Sequence, residues 1–315
     1  MKKLTRRAFA SLAAASMFVP LRGRASQTKT VRFGYQKTGI PVIARRLGTL
    51  EKRLEPLGVN VTWTEFPAAL QTLEALNAKS IDIGHTGDMG PIFGQATGID
   101  LVYIGAQPWS GTNDAILVGK NSGITSVKDL KGKKVAFARG TTSHNFIVTA
   151  LEKSGLSVTD VVPVYLNPSD GSAALGNGSV DAWVVWDPYF AIAELRNTDV
   201  HALASSRDYL RTFSFFLANR AFAELNPAVI ESILAAFRDT AAWATSHRDD
   251  VAQTMSDVTG VDLAAQKLAS GRSDYNVVPM TDDVVATQQE RADRFFRLNL
   301  IPRKIVVRDA VWKSS

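Results

Sequence analysis

The chain repeats itself, and the repeat restricts the folds open to it. Ala75-Leu76-Asn77-Ala78-Lys79-Ser80-Ile81-Asp82 returns as Ala174-Leu175-Gly176-Asn177-Gly178-Ser179-Val180-Asp181. Six residues beyond each of these aspartates stands another, Asp88 and Asp187. Upstream, Leu50-Glu51-Lys52 with Leu57-Gly58 matches Leu151-Glu152-Lys153 with Gly155-Leu156. A strand-like run follows each, 61–66 and 161–166, and each meets a proline, Pro67 and Pro168, which cannot donate to a strand ladder. Val31 to Tyr35 and Lys134 to Ala138 match as the first strand of each unit.

Each unit reads strand, helix, strand, helix, strand, helix. Short apolar strands alternating with helical spacing predict a parallel sheet covered on both faces. A period of about 100 residues is too long for a solenoid array, so two similar α/β lobes are expected. Ala115 to Val118 reads as a strand leaving the first lobe, and Phe213 to Ala218 as one returning from the second. The expected division is a signal peptide over 1–25, a first lobe over 26–116 and 217–315, and a second over 117–216. Helices are predicted over Pro227 to Ser246, with proline near its start, and over about Asp282 to Asn299. The C-terminal third is expected to pack back on the first lobe. At 315 residues and 45 % hydrophobic, the chain has enough apolar surface for two domains.

The net charge of +6 belongs to the N-terminus. Lys2, Lys3, Arg6, Arg7, Arg22 and Arg24 fall within the first 25 residues, which hold no acid, and removing them leaves 30 basic against 30 acidic residues. A balanced body lacks the unpaired basic surface that nucleic acid requires. The same stretch has the layout of an export signal: a basic start, a mildly apolar run from Ala8 to Pro20, and a small-x-small site at Gly23-Arg24-Ala25. Thr5-Arg6-Arg7-Ala8-Phe9 resembles the twin-arginine signal, with Ala10 and Ser11 departing from its usual ending, so the twin-arginine and general secretory routes both stay open. The apolar run is too short to span a bilayer. With no cysteine, thiol catalysis, cysteine metal sites and disulfides are excluded. The expected location is the periplasm.

In open α/β sheets, ligands bind beyond the carboxyl ends of the strands. Those loops are 36–41, 86–91, 140–145, 167–171 and 186–189. They carry neutral donors (Gln36, Thr38, Thr86, Thr141, Thr142, Ser143) among glycines such as Gly39, Gly87, Gly90 and Gly140. Backbone N–H groups can approach a guest at glycine, and helix N-termini favour anions. Helix capping is the alternative role for the threonines. Asp88 and Asp187 would repel an anion and are assigned to shaping their loops. Trp109 and Trp186 are candidates for an apolar wall, Lys37 and Arg139 for counter-charge. The four histidines are scattered without metal-ligand spacing, and neither a G-x-S-x-G elbow nor a phosphate loop appears. His85 reads as a core or turn residue. A cytoplasmic regulator would need a DNA-binding segment, and none is visible.

Four stretches carry a family resemblance: Gly34-Tyr35-Gln36-Lys37-x-Gly39, Glu65-Phe66-Pro67-Ala68, Ile81-Asp82-x-Gly84-x-Thr86-Gly87-Asp88 and Asp181-Ala182-Trp183-Val184-Val185-Trp186-Asp187-Pro188. They resemble the aliphatic-sulfonate-binding proteins of ABC importers, with taurine- and nitrate-binding proteins as close relatives and alternative readings. The resemblance implies an α/β type II periplasmic-binding fold, ligand capture between two lobes, no catalysis and no cofactor. It implies delivery of a small organic anion, an alkanesulfonate, to an inner-membrane ABC permease by a monomer. Carried over by position, Gln36, Thr86, Gly87, Asp88, Gly140, Thr141, Thr142, Trp186 and Asp187 line the cleft. Two departures stand beside it: Ala69-Leu70 replace the family's usual Gly-Pro, and Ala138-Arg139 replace a more polar pair.

Overall fold

The computed structural model describes residues 29–196 and 199–313; the expected signal peptide lies outside them. The first repeat unit folds as β1 (Thr30–Tyr35), α1 (Ile40–Leu47), α2 (Thr49–Leu54), β2 (Asn60–Glu65), α3 (Ala69–Asn77), β3 (Ile83–Gly87) and α4 (Met89–Thr97), followed by β4 (Leu101–Trp109). The chain then enters a second sheet through β5 (Asp114–Gly119). The second unit is β6 (Lys134–Phe137), α5 (Thr142–Lys153), β7 (Val162–Tyr165), α6 (Pro168–Gly176), β8 (Ala182–Trp186) and α7 (Tyr189–Arg196), followed by β9 (Val200–Ser205). β10 (Thr212–Asn219) returns to the first sheet. It leads into α8 (Arg220–Leu225), α9 (Pro227–Ser246), α10 (Arg248–Thr259), α11 (Leu263–Arg272) and α12 (Asp282–Arg297).

The sheets have the orders β2-β1-β3-β10-β4 and β7-β6-β8-β5-β9, the same topology twice. The repeated aspartates explain part of the duplication. Asp82 accepts the backbone N–H of Arg32 at 2.9 Å, and Asp181 accepts that of Lys134 at 2.8 Å. Each fastens the start of its unit's first strand beside its third. In the first unit the Arg32 guanidinium closes a bidentate pair on the same carboxylate, a geometry that suits a planar fork.

Two expectations need correction. The sheets are mixed, because β10 runs antiparallel to β3 and β4, and β5 antiparallel to β8 and β9. A strand arriving from the cleft side must run away from the cleft, against strands whose carboxyl ends face it. The sequence boundaries at 116/117 and 216/217 fall inside β5 and β10. The chain changes sheet at 110–113 and 206–211 instead. Gly111 (φ 74°) lies at that crossing, and a Cβ there would sit 2.7 Å from the Arg207 backbone nitrogen, so only glycine fits.

Each sheet is buried on both faces. On one face of the first, Phe33 meets Trp63 and Phe237, with Phe216 stacked on Phe237 at 4.6 Å. On the other, Leu73, Ile92, Phe215 and Phe295 pack beneath α3, α4 and α12. The second sheet has the same two layers, one around Phe137 and Phe146 and one around Trp183 and Phe190. α9 and α12 pack on the first lobe, whereas α11 reaches α7 of the second.

Candidate ligand-binding site

Three helices begin at the strand ends where a ligand is expected. α1 starts after Gly39, α4 after Asp88 and α5 after Thr141, and none of these residues caps its helix with its side chain. By contrast α6, α8, α11 and α12 are capped by Asn167, Asn219, Asp262 and Thr281. α9 and α10 also lack a side-chain cap, so an open end alone does not mark the site; convergence does. Asp88 at the start of α4 accepts the Thr142 hydroxyl from the start of α5 at 3.0 Å. A Cβ at Gly87 would stand 3.2 Å from that same hydroxyl oxygen. Gln36, in the loop leading to α1, donates to the His85 carbonyl at 3.5 Å, two residues from Gly87. Open helix N-termini with partial positive charge therefore gather at the seam between lobes.

The threonines do not cap. The Thr141 hydroxyl donates to the Ala138 carbonyl at 2.7 Å, Thr142 reaches the other lobe, and Thr86, almost fully buried, donates to the Gly87 carbonyl. The Gly140 N–H is occupied by His144 Nδ1 at 3.1 Å. His144 is stacked on Phe137 and edge-on to Phe295, and burial holds its pKa down at about 4, aided by Arg139. It is neutral and supports the β6–α5 loop from below. Trp186 is partly buried and edge-on to Tyr189 at 6.3 Å. Trp109 donates to the Ser214 hydroxyl at 2.8 Å. Lys37 pairs with Glu65 at 3.4 Å, and the Arg139 guanidinium lies over Tyr165. Leu70, at the family departure, is 61 % exposed at the start of α3.

The two aspartates are held by cations that the motifs do not contain. Asp88 is 0 % exposed; its carboxylate accepts from Thr142 and Asn145 of the second lobe and faces Arg291 Nε of α12 at 3.2 Å. Gln288 donates to its carbonyl at 2.6 Å. Burial lowers the Arg291 pKa and Asp88 raises it. Asp187 accepts the Ala191 N–H at 3.0 Å and pairs with Arg272 at the end of α11 at 3.3 Å. Arg272 also reaches Glu194 and lies over the Phe190 ring at 4.1 Å. Burial pushes Asp187 up to about 6 although Arg272 pulls the other way. Arg272, Arg291 and Arg294 are absent from the sequence reading. They lie beyond the repeat, and charged positions on helices normally face solvent. His85 is buried on β3 against Phe216, with a pKa near 4 from desolvation.

With this geometry in place, the comparisons decide the family. The profile described as NMT1/THI5 like matches residues 55–251. A curated protein of Escherichia coli K12, named for binding aliphatic sulfonates, is 41 % identical over the whole of this chain and 98 % of its own length. The chain belongs to the aliphatic-sulfonate-binding protein family. The crystal structure of the periplasmic aliphatic sulphonate binding protein of Escherichia coli superposes with a TM-score of 0.87 at 41 % identity, over 92 % of this chain and 94 % of that one. The alkanesulfonate-binding protein of Xanthomonas axonopodis pv. citri, solved with MOPS bound, gives 0.81 at 34 % identity, over 91 % of this chain and 99 % of that one. For an aliphatic-sulfonate-binding protein, three open helix ends and two carboxylates already neutralised make an anion-receptive seam.

Proposed function

We propose that the chain is the periplasmic substrate-binding component of an ABC importer for aliphatic sulfonates. One observation carries the proposal: the N-termini of α1, α4 and α5, uncapped by side chains, meet where the two lobes meet. A sulfonate is ionised at every biological pH and is never a donor. Its three oxygens spread tetrahedrally, so three separate N–H or O–H groups can each take one. We place the head group between Gln36, the Thr86-Gly87 turn and Gly140-Thr141-Thr142, with Trp186 beside the tail. Asp88 and Asp187 act by holding these loops. Three hydrogen bonds to a charged group, at ~1.5–3 kcal/mol each, reach the roughly 8 kcal/mol of micromolar affinity.

Taurine is the weaker candidate. Its ammonium needs a carboxylate, and those of Asp88 and Asp187 are already held by Arg291 and Arg272. Nitrate carries no alkyl tail for Trp186 to cover. Calorimetric titration of 1-propanesulfonate, taurine, nitrate and propanoate tests the order. Micromolar binding of propanesulfonate, weaker for the rest, supports the proposal; binding of nitrate alone, or of none, removes it. We further propose export through residues 1–25 by the twin-arginine or general secretory route, delivery of the ligand by the protein to an inner-membrane permease, and a monomeric state of the protein. Light scattering of the secreted protein at one chain's mass tests the last point.

A further inference from the structure

A cavity of about 310 Å³ lies behind the cleft, apart from the three helix ends. Three parts of the molecule wall it: Thr149 and Lys153 on α5 of the second lobe, residues 207–211 of the returning crossover, and α12 of the first lobe from Thr287 to Arg294. Thr149 and Lys153 are two and three helical turns from the candidate site, or roughly 10–16 Å along α5 at 1.5 Å per residue. The space equals about ten waters at ~30 Å³ each, so a small ion can enter with part of its hydration.

Its lining is cationic, five basic side chains against Asp208 and Glu290. Most of the cations are committed: Arg291 to Asp88, Arg294 to Glu152 and Glu290, Arg211 to Asp283. Lys153 and Arg207 have no carboxylate partner among the described residues; Arg207 gives only its Nε, to the Ser110 carbonyl. Arg207 keeps its two terminal nitrogens for a planar two-pronged contact, and Lys153 can approach as a point charge from the other lobe. Asp208, which takes the Ser205 hydroxyl, is the acid that opposes an anion here.

We propose that this cavity is a second anion site, distinct from the sulfonate cleft, that takes a small tetrahedral oxyanion such as sulfate or phosphate between Lys153 and Arg207. The ion is held by the second lobe and the crossover, with α12 of the first lobe forming the remaining wall. Arg291 forms the partition: its guanidinium faces Asp88 on the cleft side and donates to the Arg211 carbonyl on the crossover.

Thermal unfolding against sodium sulfate, with sodium chloride at matched ionic strength as reference, tests the site. The unaltered protein should gain about 2–4 °C when sulfate reaches about five times its dissociation constant. Lys153→Ala and Arg207→Ala should each weaken the apparent sulfate affinity about threefold or more, the size expected of one exposed ion pair. Both should bind 1-propanesulfonate unchanged, which also shows that they fold. Gln36→Ala, a cleft variant, should keep the full sulfate response. Phosphate should act as sulfate does. A sulfate response equal to that of chloride overturns the proposal. So does one lost in Gln36→Ala but kept in the other two, which places the ion in the cleft, or one lost in only one of the Lys153 and Arg207 variants.

Discussion

The turns at Asp88 and Asp187 occupy the same place in the two repeat units, yet they are held in opposite ways. Asp88 is sealed at the seam and draws partners from both lobes: Thr142 and Asn145 from the second, Arg291 from the first. Asp187 lies at the rim of the second lobe, partners the first turn of its own α7, and receives Arg272 from α11. The duplicated sequence supplies each lobe with one carboxylate at its lip. The unduplicated C-terminal third supplies both cations. Two equivalent lips thus become an interior pin and a peripheral clasp: at Asp88 the other lobe's Thr142 and Asn145 join a cation from α12, and at Asp187 the lobe's own α7 joins a cation from α11.

The most severe test of that contrast is at the pin. Arg291→Met leaves the buried Asp88 carboxylate without its cation, and the loss should be about 3–5 kcal/mol, read from urea unfolding. Adding Asp88→Asn should restore most of it. A loss below about 1 kcal/mol would show that Asp88 is not held by charge.

At the clasp the same operation should cost less. Asp187 is 5 % exposed, but Arg272 is 20 % and its second partner Glu194 37 % exposed, so solvent screens the clasp more than the fully buried pin. Arg272→Ala should cost about 1–2 kcal/mol. If both arginine variants lose equally, the distinction between pin and clasp fails.

A third carboxylate sharpens the comparison because it has no cation among the described residues. Asp114 opens β5 where the chain enters the second lobe, is buried, and receives the Ser206 hydroxyl at 3.3 Å. Burial pushes its pKa up to about 7, above the ~3.9 of an unfolded aspartate. Between those values the folded protein holds a proton that the unfolded chain has released, so this group's contribution falls as pH rises from about 4 through 7. Asn at this position does not titrate. Asp114→Asn should therefore be more stable by on the order of 1 kcal/mol at pH 8, with the gap closing near pH 4. A gap that widens on acidification would contradict the sign.

The repeat made the lobes legible before any coordinates, because alternating strands and helices with matching turns leave few arrangements. The loops at the strand ends followed from the same logic. Three things did not. β5 and β10 run against their neighbours, and apolar runs of four and six residues carry no sign of direction. Arg291 and Arg294 sit in a helix whose charges look solvent-facing, yet they are 2 % and 7 % exposed; which turn meets the other lobe is a tertiary fact. His144, in sequence only one of four scattered histidines, accepts the Gly140 N–H through its ring nitrogen and supports the loop.

The central claim is that neutral groups at converging helix ends grip the sulfonate head. Calorimetric titration of 1-propanesulfonate into Gln36→Ala and Thr141→Ala tests it most directly. Each variant should bind at least about tenfold more weakly, the equivalent of one hydrogen bond to a charged group, while Thr141→Ala also gives up its bond to the Ala138 carbonyl and about 1 kcal/mol of stability. Wild-type affinity in both would contradict the account.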